Sequence, residues 1–302
     1  MTVLMRFFVS LHPFFASAKA YTVSTNDARA LGVNPRVPNA ARIYDYLIGG
    51  KNHFAADREA GEALVRIVPD LRQRARENRA FLARAVRHLA EAGVHQFLDI
   101  GSGLPAADNV HQVAQRTAPE CRVAYVDSDE VAVVHGNALL AGPPDGPVRM
   151  VRADVRDTAA LLDHPDITGL FNREHPIAVT MIAILHFIPD DQARQIIDVI
   201  RAWLPEGSYL VISHATPGGL SLEAQREGLA VYERANMQMT MRSVEEIARL
   251  FDGFDLSPDG VVPVCQWRPE GNYREGPPEG GHFVGGVARL HANGGYGVGV
   301  RM

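Results

Sequence analysis

One string in the chain joins an apolar run, a carboxylate and closely spaced glycines: Phe97-Leu98-Asp99-Ile100-Gly101-Ser102-Gly103-Leu104-Pro105. The apolar residues form a strand, and the glycines let the chain turn through positive φ where a Cβ would block an approaching ligand. With Ala106 the string also reads G-x-G-x-x-A, the pattern of a dinucleotide site. Asp99 stands two residues before the first glycine, giving D-x-G-x-G. A carboxylate there attracts an ammonium group and repels a pyrophosphate, so the turn favours a zwitterionic ligand bearing an amino acid.

Further chemistry-bearing residues follow at the ends of later apolar runs. Tyr125-Val126-Asp127-Ser128-Asp129 places Asp127 24 residues beyond Gly103, where a carboxylate can accept both hydroxyls of a ribose. NAD and S-adenosylmethionine (SAM) would both use such a group. Ala153-Asp154-Val155 offers an acid for the exocyclic amine of an adenine and an apolar side chain for its ring, although Asp154 could equally be a helix N-cap. In Ile182-Ala183-Ile184-Leu185-His186-Phe187-Ile188-Pro189-Asp190-Asp191 an apolar run gives way to a histidine and an acidic helix start. Ile184 is counted with the cofactor wall, and His186 is a candidate for polarising an acceptor; a histidine satisfied by backbone is the alternative. His214, after the fifth run, ranks below it.

These residues need a scaffold that brings strand ends together. From Gln96 onward, short apolar runs (97–100, 122–126, 148–152, 177–185, 209–213) alternate with helical windows (109–116, 129–140, 157–171, 190–203, 221–235). Five strand–helix units predict a parallel sheet covered on both faces, with ligands at the carboxyl ends of the strands. A helix at 243–251, runs at 254–256 and 261–265, a Gly/Pro-rich loop at 268–281 and a run at 283–290 break the rhythm and predict an antiparallel sheet edge. Residues 35–93 read instead as helices: Asn39 caps a segment stopped by Gly49-Gly50, a second stretch covers 56–68, and Pro69 opens a third that ends at Gly93. This helical cap is expected to fold over the ligand, with Arg42, Tyr44 and Asp45 inward. Residues 1–34 read as a leader and 291–302 as a frayed tail.

Composition narrows the partners. The 302 residues carry a net charge of −5, which disfavours a general nucleic-acid or anionic-membrane binder and favours a small-molecule partner. Arginines along the third helix read as a solvated face. No stretch reaches the roughly 18 apolar residues of a membrane span, and Cys121 and Cys265 lack the spacing of a metal site or disulfide framework, so a cytoplasmic enzyme without metal is expected. Apart from Lys19, Lys51 is the only lysine among 30 cations. Its isolation suggests a point cation for a carboxylate, either that of the cofactor or that of the acceptor.

Taken together, the D-x-G-x-G turn, the acid after the second strand, A-D-V after the third and L-H-F-I-P-D-D after the fourth resemble the Rossmann-like SAM-dependent methyltransferases. More narrowly, Asn39-Ala40-Ala41-Arg42-Ile43-Tyr44-Asp45-Tyr46-Leu47-Ile48-Gly49-Gly50-Lys51 through Arg58, with Ala75-Arg76-Glu77-Asn78-Arg79-Ala80-Phe81-Leu82, is similar to an actinobacterial S-adenosyl methyltransferase family. Asn52-His53 departs from that family's pattern. The resemblance spans about residues 35–290 and implies an α/β sheet ordered 3-2-1-4-5-7-6 with strand seven antiparallel. It also implies SAM held by Gly101, Ser102 and Gly103, Asp127 and Ser128 at the ribose, and Asp154 with Val155 at the adenine. It leaves the methyl acceptor open. His186 and Tyr44 are the catalytic candidates. An NAD(P)-dependent oxidoreductase and a non-catalytic SAM-binding regulator are the alternatives.

Overall fold

The computed structural model describes residues 33–139, 146–269 and 282–291. The leader up to residue 32, most of the Gly/Pro-rich loop and the tail after 291 lie outside these residues. Three helices come first: α1 (Ala40–Ile48), α2 (Ala55–Ile67) and α3 (Leu71–Glu91). The Asn39 side chain accepts from the amides of Ala41 and Arg42 at 2.8 and 3.4 Å and caps α1; Gly49, at φ 91°, ends it. Pro69 does not open α3. The helix starts two residues later, after Asp70, whose carboxylate accepts from Arg74 at 2.7 Å.

The sheet contains β1 (Gln96–Ile100), β2 (Arg122–Asp127), β3 (Val148–Arg152), β4 (Ala178–Ile182), β5 (Tyr209–Thr216), β6 (Asp255–Leu256), β7 (Val262–Pro263) and β8 (His282–Arg289). Its order is 3-2-1-4-5-8-6, with β7 also pairing β8. The first five strands are parallel, and β8 runs antiparallel to β5, β6 and β7. The expected order therefore holds with one added short strand, so the antiparallel member is the eighth. Intervening helices are α4 (Val110–Thr117), α5 (Glu130–Leu139), α6 (Thr158–Leu162), α7 (Pro165–Thr168), α8 (Asp190–Trp203), α9 (Leu222–Glu233) and α10 (Val244–Ala248). The window expected as one helix over 157–171 is two, because Pro165 starts a new one with His164 as its cap.

All five β1 residues are buried, as a strand covered on both faces requires. Leu98 and Ile100 join Val179, Ile196 and Phe251 in one core layer, while Phe97 meets Phe81, Leu82, Val86 and Leu89 of α3 in the other. The C-terminal half of α3 is thus part of the sheet's own core. Its N-terminal half contributes Ala75 to a third cluster with Ile43, Leu47, Leu64 and Val231 of α9, against which Tyr232 and Met237 pack. That cluster fixes α1, α2 and α9 together above the carboxyl ends of the strands.

Candidate active site

Under this helical cover, along the carboxyl edge, lies a cavity of about 690 Å³, within the roughly 300–1,000 Å³ usual for small-molecule sites. Of the residues singled out from sequence, Tyr44, Asp99, Gly101, Ser102, Gly103, Asp127, Ser128, Asp154, Val155, Ile184 and His186 all line it. Lys51 does not: it is exposed, in the turn after α1, and outside the cavity wall.

The floor is the β1 turn. Gly101 has φ 73°, and a Cβ there would sit 2.2 Å from Ile184 Cδ1, so both the backbone conformation and the close approach of β4 demand glycine. Asp99, 2% exposed, faces its in-register neighbour Thr180 on β4, whose hydroxyl donates to Oδ1 at 2.6 Å. Burial pushes the Asp99 carboxyl up to about 6, against the smaller opposing effects of that hydrogen bond and of Arg79. The Asp127 carboxyl is also raised by burial. Its two oxygens accept from the amides of Gly103 at 2.7 Å and Asp129 at 2.8 Å, tying the end of β2 to the glycine turn. Asp154 differs. Ion-paired with Arg156 at 2.5 Å, it is held below the usual carboxylate range by hydrogen bonding to that guanidinium. It is not a helix cap: Asp157 caps α6, and Asp154 accepts from the Arg156 amide in a local turn.

The roof comes from α1 and α3. Tyr44 donates to the Ala75 carbonyl at 2.9 Å and accepts from Asn78 at 3.0 Å, and burial raises its phenol. Asp45 accepts from the Asn52 amide at 2.8 Å and lies 3.0 Å from His53 Nδ1; a Cβ on Gly50 would fall 2.0 Å from its Oδ1. Arg42 is turned to structure: 3% exposed, it pairs with Asp57 at 3.0 Å and reaches Asp129 after β2 at 3.1 Å, linking cover to sheet.

Two arginines were missed from sequence. Arg79 of α3 lines the cavity; one terminal nitrogen donates to Asn109 Oδ1 at 3.0 Å, and its buried Nε has no hydrogen-bond partner among the described residues. Its place four residues after Ala75 and three before Leu82, both on the buried side of α3, was the available signal. Arg242 lies outside any motif. It is 3% exposed and bonds the Leu185 and Ile188 carbonyls at 2.7 and 2.8 Å, Asp190 at 2.8 Å and His214 Nε2 at 2.7 Å, clamping the turn that carries His186. Burial, with the neighbouring His214 and Arg242, drives the His186 imidazole well below its ordinary value. Burial likewise lowers His214 to about 4. Both are neutral at pH 7.

A carboxyl-edge cavity beside a glycine turn, with acids at the carboxyl ends of β1, β2 and β3, is the architecture of a Rossmann-like, nucleoside-binding protein. The sequence profile of the S-adenosyl methyltransferase family matches residues 26–291, and the chain belongs to that family; it is a SAM-dependent methyltransferase with SAM as its cofactor. The crystal structure of a candidate methyltransferase from Thermobifida fusca superposes with a TM-score of 0.78 at 38% identity, covering 85% of this chain and 96% of that one. A duf574 family protein from Streptomyces avermitilis gives 0.78 at 39%, covering 85% and 98%. The carboxy-S-adenosyl-L-methionine synthase of Citrifermentans bemidjiense is 28% identical over 164 residues, 52% of this chain and 61% of that protein, so the chain spans less than two thirds of that curated relative. These findings set aside the oxidoreductase alternative. No helix among the described residues is long and apolar enough to cross a membrane.

Proposed function

We propose that the chain methylates a small molecule in the cytoplasm, with SAM lying along the β1–β3 edge and the acceptor beside β4. The observation that carries the cofactor's placement is the pairing of opposite charges at one end of the cavity. Asp99 is buried with a single side-chain hydrogen bond, and Arg79 keeps an unpartnered Nε nearby. An amino-acid zwitterion fits both: ammonium to Asp99, carboxylate to Arg79. Arg79 thereby takes the role weighed for Lys51.

Gly101, Ser102 and Gly103 would pass beneath the ligand without a clashing Cβ, Asp127 and Ser128 would meet the ribose, and Asp154 with Val155 would meet the adenine. When bound, SAM supplies a methyl group on a positively charged sulfur. The protein's part is alignment and exclusion of water. His186, held neutral by burial, can hydrogen-bond an acceptor oxygen or nitrogen and orient it toward the methyl group. Tyr44, anchored by Ala75 and Asn78, can orient it from above. The net charge of −5 argues against a nucleic-acid acceptor.

Mass spectrometry of the as-purified protein tests the reading: SAM or S-adenosylhomocysteine (SAH) is expected to co-purify, or to bind on titration. Binding of NAD in preference to SAH would refute it.

A further inference from the structure

The sheet order divides the cavity. β1 stands at the centre, with β2 and β3 on one side and β4, β5 and β8 on the other. The β1–β3 side carries Asp99, Asp127, Asp129, Asp154 and Arg156, whereas the residues that β4, α9 and β8 contribute to the lining include no Asp, Glu, Lys or Arg. That second side is aromatic and apolar instead. Phe187 packs on His186 with ring centroids 4.3 Å apart and on Tyr232 at 5.5 Å, Phe283 lies 6.3 Å from His186, and Met237 adds a flexible thioether. Besides the His186 imidazole and the Tyr232 hydroxyl, its polar side chains are the uncharged Gln192, Asn236 and Gln238, which are exposed.

Among the described residues, the cation beside this wall is already engaged. Arg242 is spent on Asp190, two backbone carbonyls and His214, and the His186 and His214 imidazoles are uncharged at pH 7. A carboxylate or phosphate entering here would lose its water and meet no compensating charge. A flat, neutral ring would replace ring-to-ring contacts of the same kind that line the wall. The cover formed by α1, α2 and α9 shares one apolar cluster, and the space beneath it, about 690 Å³, is of the size that takes a small molecule.

Resting on the cofactor placement above, we propose that the methyl acceptor is an uncharged aromatic small molecule, seated against the wall of Phe187, Tyr232 and Phe283 with its hydroxyl or ring nitrogen toward His186.

The test uses the full chain saturated with SAH and two probes that differ by one carboxylate group, 2-naphthol and 6-hydroxy-2-naphthoate, titrated at pH 7.5 by calorimetry or ligand-observed NMR. The naphthol is expected to bind at least about tenfold more tightly. Phe187→Ala and Tyr232→Ala should each weaken it about tenfold without altering SAH affinity, and Gln238→Arg should admit the naphthoate. Equal or tighter binding of the naphthoate, no binding of either probe, or indifference to the aromatic substitutions overturns the proposal while leaving the cofactor reading intact. Failure of SAH itself to bind overturns both.

Discussion

Asp99 and Arg242 are buried to the same degree, at 2% and 3% exposure, the first in the cavity wall and the second behind the turn that carries His186, yet their surroundings differ. Arg242 makes four hydrogen bonds that use all three of its nitrogens, one with Asp190, one with His214 and two with backbone carbonyls, and a second nitrogen forms an ion pair with Asp190 at 2.8 Å. Asp99 receives one side-chain hydrogen bond, from Thr180, and its carboxyl is pushed up to about 6. A buried charge whose valences are filled by the protein holds the protein together. One left short is a place where a ligand supplies what is missing.

The largest effect that could break this contrast is on stability. Arg242→Ala leaves the Leu185 and Ile188 carbonyls without their donor, and urea unfolding should show a loss of about 3 kcal/mol or more. SAH affinity in the protein that remains folded should stay within about threefold, because the β1–β3 edge is untouched. Asp99→Asn should do the reverse and stabilise the unliganded protein at pH 7 by about 1–3 kcal/mol. Its folded value of about 6 lies above the unfolded 3.8, so the native state binds the extra proton between them. Wild-type stability therefore falls as pH rises from 4 to 6. The gap between wild type and variant should be near zero at pH 4 and widest above pH 7. The smallest effect separates two cations: Lys51→Ala should leave stability within about 0.5 kcal/mol and SAH affinity unchanged, whereas Arg79→Gln should weaken SAH about tenfold. A reversed pair of results would return the carboxylate to Lys51.

How much of this could be read from the sequence follows from where each residue stands. Strand ends in a parallel sheet converge whatever the side chains do, so Asp99, Asp127, Asp154 and His186 could be placed at one edge from periodicity alone. Helical residues carry no such guarantee. Arg42 was expected to face the ligand and instead joins Asp57 to Asp129, a pairing 87 residues apart that no local pattern encodes. Arg242 sits in an irregular segment before α10, and its importance arises only when that segment packs against the β4 turn. The β4 run is expected to continue to Leu185 but ends at Ile182, because Ala183 adopts φ 56°; the Ala183 amide makes the last contact with β5, to the Ser213 carbonyl and hydroxyl, each at 3.1 Å. Nor did α9 look like part of the cover; its Val231 and Tyr232 join the α1–α2 cluster only through tertiary packing.

The central claim is that Asp99 awaits the ammonium group of the cofactor. Calorimetric titration of SAH between pH 5 and 7.5, in wild type and Asp99→Asn, addresses it directly. Wild-type affinity should rise about tenfold or more as pH passes through about 6 and Asp99 becomes ionised, while the variant should bind more weakly at pH 7.5 with a flat profile. Identical affinities and identical pH profiles in the two proteins would contradict the account.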